Sequence, residues 1–179
     1  MSSFHGEGLA PLLVTLRFDE DSAERLGELR TRYFPRQRNV VPAHLTLFHA
    51  LPGEREELVR ETLTNVCGGR EALTLRFGEL RFLGRGVAID VECPELLRVR
   101  GELARVFRPF LTAQDGQNWK HPHVTIQNKV TSDVARRTFD ELSEEWEGWE
   151  GESGGLLLWY YRGGPWEKAG EYDFGVGTE

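Results

Sequence analysis

The sequence predicts an α+β fold of two similar lobes, two antiparallel sheets facing a central cleft with helices outside. Three observations carry this. Period-2 and period-3.6 hydrophobic patterns alternate along the whole chain, so strands and helices are interleaved. The order strand, helix, strand, helix, strand occurs in the first half and again in the second. In both halves the second strand carries a His-x-Thr triplet, His44-Leu45-Thr46 and His123-Val124-Thr125, 79 positions apart.

The elements come in this order. LLVTLRF (12–18) reads as a strand; the apolar stretch around it is short and lacks a basic start, so it is not read as a signal peptide. Residues 19–34 read as a helix, with Ala23, Leu26, Leu29 and Tyr33 on one face and acids in its first turn. PAHLTLFHAL (42–51) is a strand, and 54–66 a helix closed by Gly68-Gly69. Residues 72–84 form a strand, with a bend expected at Gly78, and 86–93 the next strand. Pro94 opens a helix that runs to residue 111, lined by Leu96, Val99, Leu103, Val106 and Phe110. HPHVTIQNKV (121–130) is a strand and 132–146 a helix. Residues 154–175 read as a hairpin around Gly163-Gly164. The acidic stretch 141–152 reads as a solvated helix end and loop.

A chain of 179 residues suits one compact bilobal domain, 1–179, with lobes of roughly 1–85 and 86–179 between which strands are free to exchange. Five Trp, four Tyr and ten Phe are enough for a sizeable core. Cys67 and Cys93 make no disulfide framework, which points to a reducing compartment, and no run reaches membrane-spanning length. The expectation is a cytoplasmic monomer. A net charge of −7 argues against coating long duplexes, because such binding rests on neutralising phosphates. Small nucleotides or an RNA end fit better.

The triplets suggest a chemistry. Residues i and i+2 of a strand share a face, about 6.5–7 Å apart. His44 with Thr46, and His123 with Thr125, therefore face one cleft if the lobes oppose each other. In-line displacement at a phosphodiester needs a base at the attacking oxygen and an acid at the leaving oxygen. Two imidazoles supply both near neutral pH. Hydroxyls hold the non-bridging oxygens. No cofactor and no metal are called for.

The paired HLTL and HVTI, in a small duplicated α+β chain, resemble the 2H phosphoesterase superfamily. The similarity is greatest to its bacterial 2′-5′ RNA ligase branch, also described as RNA 2′,3′-cyclic phosphodiesterases. FPRQRNVVPAHLTLFHALPG, LGRGVAIDVECPEL, HPHVTIQNKV and LLLWYYRGGPW all look like that branch. The resemblance implies His44 and His123 as the catalytic pair and Thr46 and Thr125 as phosphate-binding residues. It implies hydrolysis of 2′,3′-cyclic phosphates or 2′-5′ linkages. Acid and base roles do not follow from the sequence; analogy implies His44 as acid on the 2′-oxygen and His123 as base on water.

Other residues keep two readings. Phe48 shares the parity of His44 and Thr46, so it either stacks a base in the cleft or packs the lobe interface. His121 flanks the cleft or merely enters the strand. Gln127 and Lys129 continue the His123 face; Lys129 contacts phosphate or is solvated. Among Trp159, Tyr161 and Trp166 of the hairpin, Tyr161 is the cleft candidate and the others read as core. Arg36, Arg38, Arg81 and Arg85 are rim charges. His49 falls opposite His44 and reads as structural; His5 reads as terminal and exposed. Three rivals remain: a nucleotide-binding module without turnover, a 2′-5′ RNA ligase, and a metal-binding protein using the clustered histidines.

Overall fold

The computed structural model describes residues 9–175; the expectation for His5 lies outside them. Among the described residues four α-helices and seven of eight strands follow the predicted order; the strand at Trp149–Ser153 is additional. Strand β1 (Leu12–Arg17) leads into helix α1 (Glu20–Tyr33), which is capped by Asp19 accepting the Ser22 N–H at 3.0 Å. Strand β2 (Thr46–Leu51) precedes helix α2 (Glu56–Cys67). Strands β3 (Leu73–Phe82) and β4 (Val87–Glu92) form a hairpin, and the register of β3 shifts between Phe77 and Leu80, at the expected bend. Helix α3 (Pro94–Phe107) gives way to a 3-10 turn over Arg108–Phe110, where Pro109 cannot continue the ladder. Strand β5 (His123–Gln127) is shorter than its pattern suggested. Lys129 takes φ 63°, a left-handed conformation that breaks the extended run. Helix α4 (Ser132–Ser143), strand β6 (Trp149–Ser153) and the hairpin of β7 (Gly155–Tyr160) with β8 (Glu167–Asp173) complete the chain.

The strands form two antiparallel four-stranded sheets, in the orders β2-β1-β7-β8 and β5-β4-β3-β6. The halves of the sequence are therefore interlaced: β3 joins the second sheet, and the final hairpin completes the first. The inner faces share one core, from Leu12, Val14 and Leu47 on one sheet to Ile89, Val124 and Ile126 on the other. Helix α2 packs on β7 and β8, α4 on β3 and β4, and α2 lies against α3.

Strand β6 corrects the reading of 141–152 as solvated to its end. Its charged residues alternate with Trp149, Gly151 and the buried Ser153, and Trp149 stacks on Phe77 at 4.6 Å. It pairs with β3 from Trp149↔Phe77 to Ser153↔Leu73. Among the described residues no helix is long and apolar enough to cross a membrane.

Candidate functional site

Both His-x-Thr segments are built alike. Upstream of β2, Leu16 N–H donates to the Leu45 carbonyl at 3.0 Å; upstream of β5, Val91 N–H donates to the Pro122 carbonyl at 2.9 Å. The first bond holds the triplet itself against its neighbour strand, and the second holds the residue just before its triplet. Just after each threonine the register slips. Thr46 pairs with Thr15 but Phe48 with Val14; Thr125 pairs with Ala88 but Gln127 with Val87. Just after its threonine each strand thus carries one extra residue, a bulge at the same offset from the motif, which bends the strand and reverses the facing of the next residues; β2 slips once more between Phe48 and Leu51.

That reversal decides which expected site residues reach the cleft. Phe48 is fully buried in the core, edge-on to Phe107 at 5.4 Å, so the expectation that it stacks a base is corrected. Gln127 is 2% exposed and bonds Thr138 Oγ1 at 2.8 Å, so it too is removed from the candidate contacts. His49, expected on the opposite face, lines the cleft instead.

The cleft is a cavity of about 410 Å³. His44, Thr46 and His49 come to it from β2 and the segment that leads into it, and His121, His123 and Thr125 from β5 and its own leading segment. The loop between α3 and β5 supplies Trp119 and Lys120. Lys129 is exposed at the end of β5 and Tyr161 is 45% exposed beside β7; neither lines this cavity. Of the expected rim charges, Arg36 and Arg38 stand exposed in a 3-10 turn, Arg81 pairs with Asp90 at 2.6 Å, and Arg85 bonds the Val130 carbonyl.

The two motif histidines are oriented identically. His44 Nδ1 lies 2.9 Å from the Pro42 carbonyl, and His123 Nδ1 lies 2.9 Å from the His121 carbonyl. A carbonyl only accepts, so Nδ1 carries the proton in both rings and Nε2 is left for a ligand. The His44 ring packs against Trp166 at 4.6 Å, a contact with no local sequence signal. Burial lowers the pKa of His44; the bond to Pro42 opposes this, and Arg30 and His49 add to it.

Two buried arginines cross between the halves to the bulges. Arg30 of α1 donates from Nη1 to the Thr125 carbonyl and from Nε to Asn39 Oδ1, both at 3.0 Å. Arg100 of α3 donates from Nε to the Leu47 carbonyl and from Nη2 to the Asp115 carbonyl, both at 2.7 Å. Each half of the chain therefore fixes the motif strand of the other.

A larger hollow of about 840 Å³ lies beside α2 and α3. Its Arg70 is already engaged by Glu95 at 3.3 Å and by Glu102, and no imidazole among the described residues lines it. Among the described residues no three His, Cys, Asp or Glu side chains converge to hold a metal ion.

A family model described as the 2′-5′ RNA ligase superfamily matches residues 18–165. No curated protein sequence gives a significant match. Solved structures share the fold at low identity. TT0787 of Thermus thermophilus superposes with a TM-score of 0.67 at 15% identity, covering 94% of this chain and 100% of that one. Escherichia coli LigT complexed with 3′-AMP gives 0.64 at 14%, covering 92% and 98%. A structure described as a phosphoesterase gives 0.63 at 17%, also covering 92% and 98%.

Proposed function

The chain belongs to the 2′-5′ RNA ligase superfamily, and on that premise we propose that it is a metal-independent phosphodiesterase. Its substrates in this reading are 2′,3′-cyclic phosphates or 2′-5′ phosphodiester bonds, on RNA ends or small nucleotides. The observation that carries it is the matched pair of hydrogen bonds behind His44 and His123. They leave one Nε2 from each sheet for a substrate in a shared cavity, each with a threonine beside it. The solved complexes of Escherichia coli LigT with 3′-AMP, phosphate and ATP support a small-nucleotide ligand for this fold.

The chemistry is a displacement at phosphorus. A water oxygen bonds to phosphorus while its proton passes to the neutral Nε2 of one histidine. The bond from phosphorus to a ribose oxygen breaks, and that oxygen takes the proton from Nε2–H of the other histidine. The Thr46 and Thr125 hydroxyls donate to the non-bridging oxygens. The product is a phosphomonoester, and solvent exchange restores both rings.

The burial of His44 favours its neutral form. That suits His44 to the proton acceptor and the exposed His123 to the donor, the reverse of the order implied by family resemblance. The test is incubation with 2′,3′-cyclic mononucleotides, 2′-5′ dinucleotides and RNAs ending in a cyclic phosphate, with products identified by mass spectrometry. Phosphomonoester products are expected. Binding without any product would replace the enzyme by a nucleotide-binding module, and joined RNA ends would replace hydrolysis by ligation.

A further inference from the structure

His49 has no part in the two-histidine chemistry, yet it is the cleft imidazole whose ring and backbone are both held by a carboxylate. Its backbone N–H donates to both carboxylate oxygens of Asp115, at 2.8 and 3.0 Å, and Ala50 N–H donates to Oδ2 at 2.9 Å. The same carboxylate takes the ring Nδ1 at 3.1 Å. Asp115 is 1% exposed. Burial alone raises its pKa, but the hydrogen bonds from His49 and Ala50 overcome this and keep the carboxylate ionised. An ionised carboxylate only accepts, so His49 keeps its Nδ1 proton toward Asp115 and offers Nε2 elsewhere. The side chain is 43% exposed and lines the cavity with His44 and Thr46.

Two further observations say what that Nε2 meets. The duplication places Asn128 where His49 would recur, so this imidazole is an addition to one side of the cleft. Among the described residues, the cavity lining also holds five His or Lys side chains, His44, His49, Lys120, His121 and His123, and no Asp or Glu. This stands out in a chain with 29 acidic and 22 Lys or Arg residues. A scissile phosphodiester carries one negative charge, already provided for by two hydroxyls and one protonated imidazole. The remaining basic groups suit a second anion. His49 lies one same-face step beyond Thr46 on the bulged strand, about 6.5–7 Å, the reach of one sugar.

We propose that His49, held by Asp115, takes up a proton at Nε2 when the anion binds and donates from Nε2–H to a second phosphate. The preferred substrate class is then a nucleotide or oligonucleotide end bearing a phosphate on the 5′-oxygen as well as the diester to be cleaved, not a bare cyclic mononucleotide. This rests on the phosphodiesterase reading, and Asp115 acts through His49 as a positioning residue.

The test compares calorimetric affinities for adenosine 3′-monophosphate and adenosine 3′,5′-bisphosphate, with turnover of 2′,3′-cyclic AMP and its 5′-phosphorylated form followed in parallel. The full chain should bind the bisphosphate roughly ten- to a hundredfold more tightly, the scale of a charge-assisted contact. In H49N the amide nitrogen takes the place of Nδ1, so the Asp115 contact survives and the cleft nitrogen is lost; the preference should collapse. In H49Q the amide nitrogen takes the place of Nε2, and much of the preference should return. Equal affinities in the unmodified protein, or a preference kept by H49N and lost by H49Q, would overturn the subsite. A preserved bisphosphate preference without turnover of either cyclic substrate would sink the phosphodiesterase reading and leave the subsite standing.

Discussion

Replacing Arg100 by methionine tests how the second half of the chain holds the first His-x-Thr strand. The guanidinium makes two hydrogen bonds of 2.7 Å, to the carbonyls of Leu47 and Asp115, and lies 3.9 Å over the Phe48 ring. A hydrogen bond from a charged group contributes about 1.5–3 kcal/mol net, so the two together amount to about 3–6 kcal/mol. Methionine refills much of the stem and carries no charge to desolvate, which places the expected loss at the lower end, about 3–4 kcal/mol. A domain of this kind is stable by about 5–15 kcal/mol, so the variant still folds. Urea unfolding followed by tryptophan fluorescence should show an unchanged slope and a midpoint lowered by roughly 1–4 M. Because the Leu47 carbonyl directly follows Thr46, turnover measured well below the midpoint should fall further than the folded fraction explains. A loss under about 1 kcal/mol with normal turnover would refute the reasoning, since the bulge carbonyl would then need no cation.

H44N and H123N should each lower turnover by roughly 10²–10⁴ with unfolding midpoints little changed, as expected for removal of a general acid or base; near-normal activity in either ends the paired mechanism. T46V and T125V keep the β-branched shape, and each should lose about 1.5–3 kcal/mol of transition-state binding, read as kcat/KM. The pH profile of kcat/KM should be a bell. Its acid limb, where the proton acceptor becomes charged, should fall below the ordinary imidazole value of 6.5, because burial lowers the pKa of His44. Residual activity of H44N should lack that limb; if it lacks the alkaline limb instead, His44 is the acid. EDTA should leave turnover unchanged, and a loss restored by a divalent ion would return the metal reading.

The sequence made much of this legible because its strongest signals are short-range. Alternation marked β1, β4 and β5, and the repeated triplet brought His44, Thr46, His123 and Thr125 to one cavity. The errors cluster where strand parity breaks. Counting in twos misplaces Phe48, His49 and Gln127, because one extra residue just after each threonine reverses their facing. The equal offset of the two bulges shows the duplication, but nothing in HLTLFH or HVTIQN announces a bulge. Strand β6 was hidden by its glutamates, which sit on the outward positions of a short strand. Trp166, which packs at a tilt against His44, lies more than a hundred positions further along the chain, and Trp119 and Lys120 lie in an irregular loop; only tertiary packing brings them in.

The interlaced sheets also constrain how the protein is made. Strand β1 leaves the ribosome long before its partner β7. Trp159 reaches Thr15 across 144 positions of sequence. At about 5–20 residues per second, translation separates the two by roughly 7–30 s. Through that interval β1, with Leu12, Val14 and Leu16 bound for the core, has an unpaired edge that invites pairing with other nascent chains. Slow, long-range closure is therefore imposed by the topology, and a chain cut before residue 155 lacks both strands that close the first sheet. Such fragments should depend on chaperones that cover strand edges, while the finished chain releases them as the last hairpin docks.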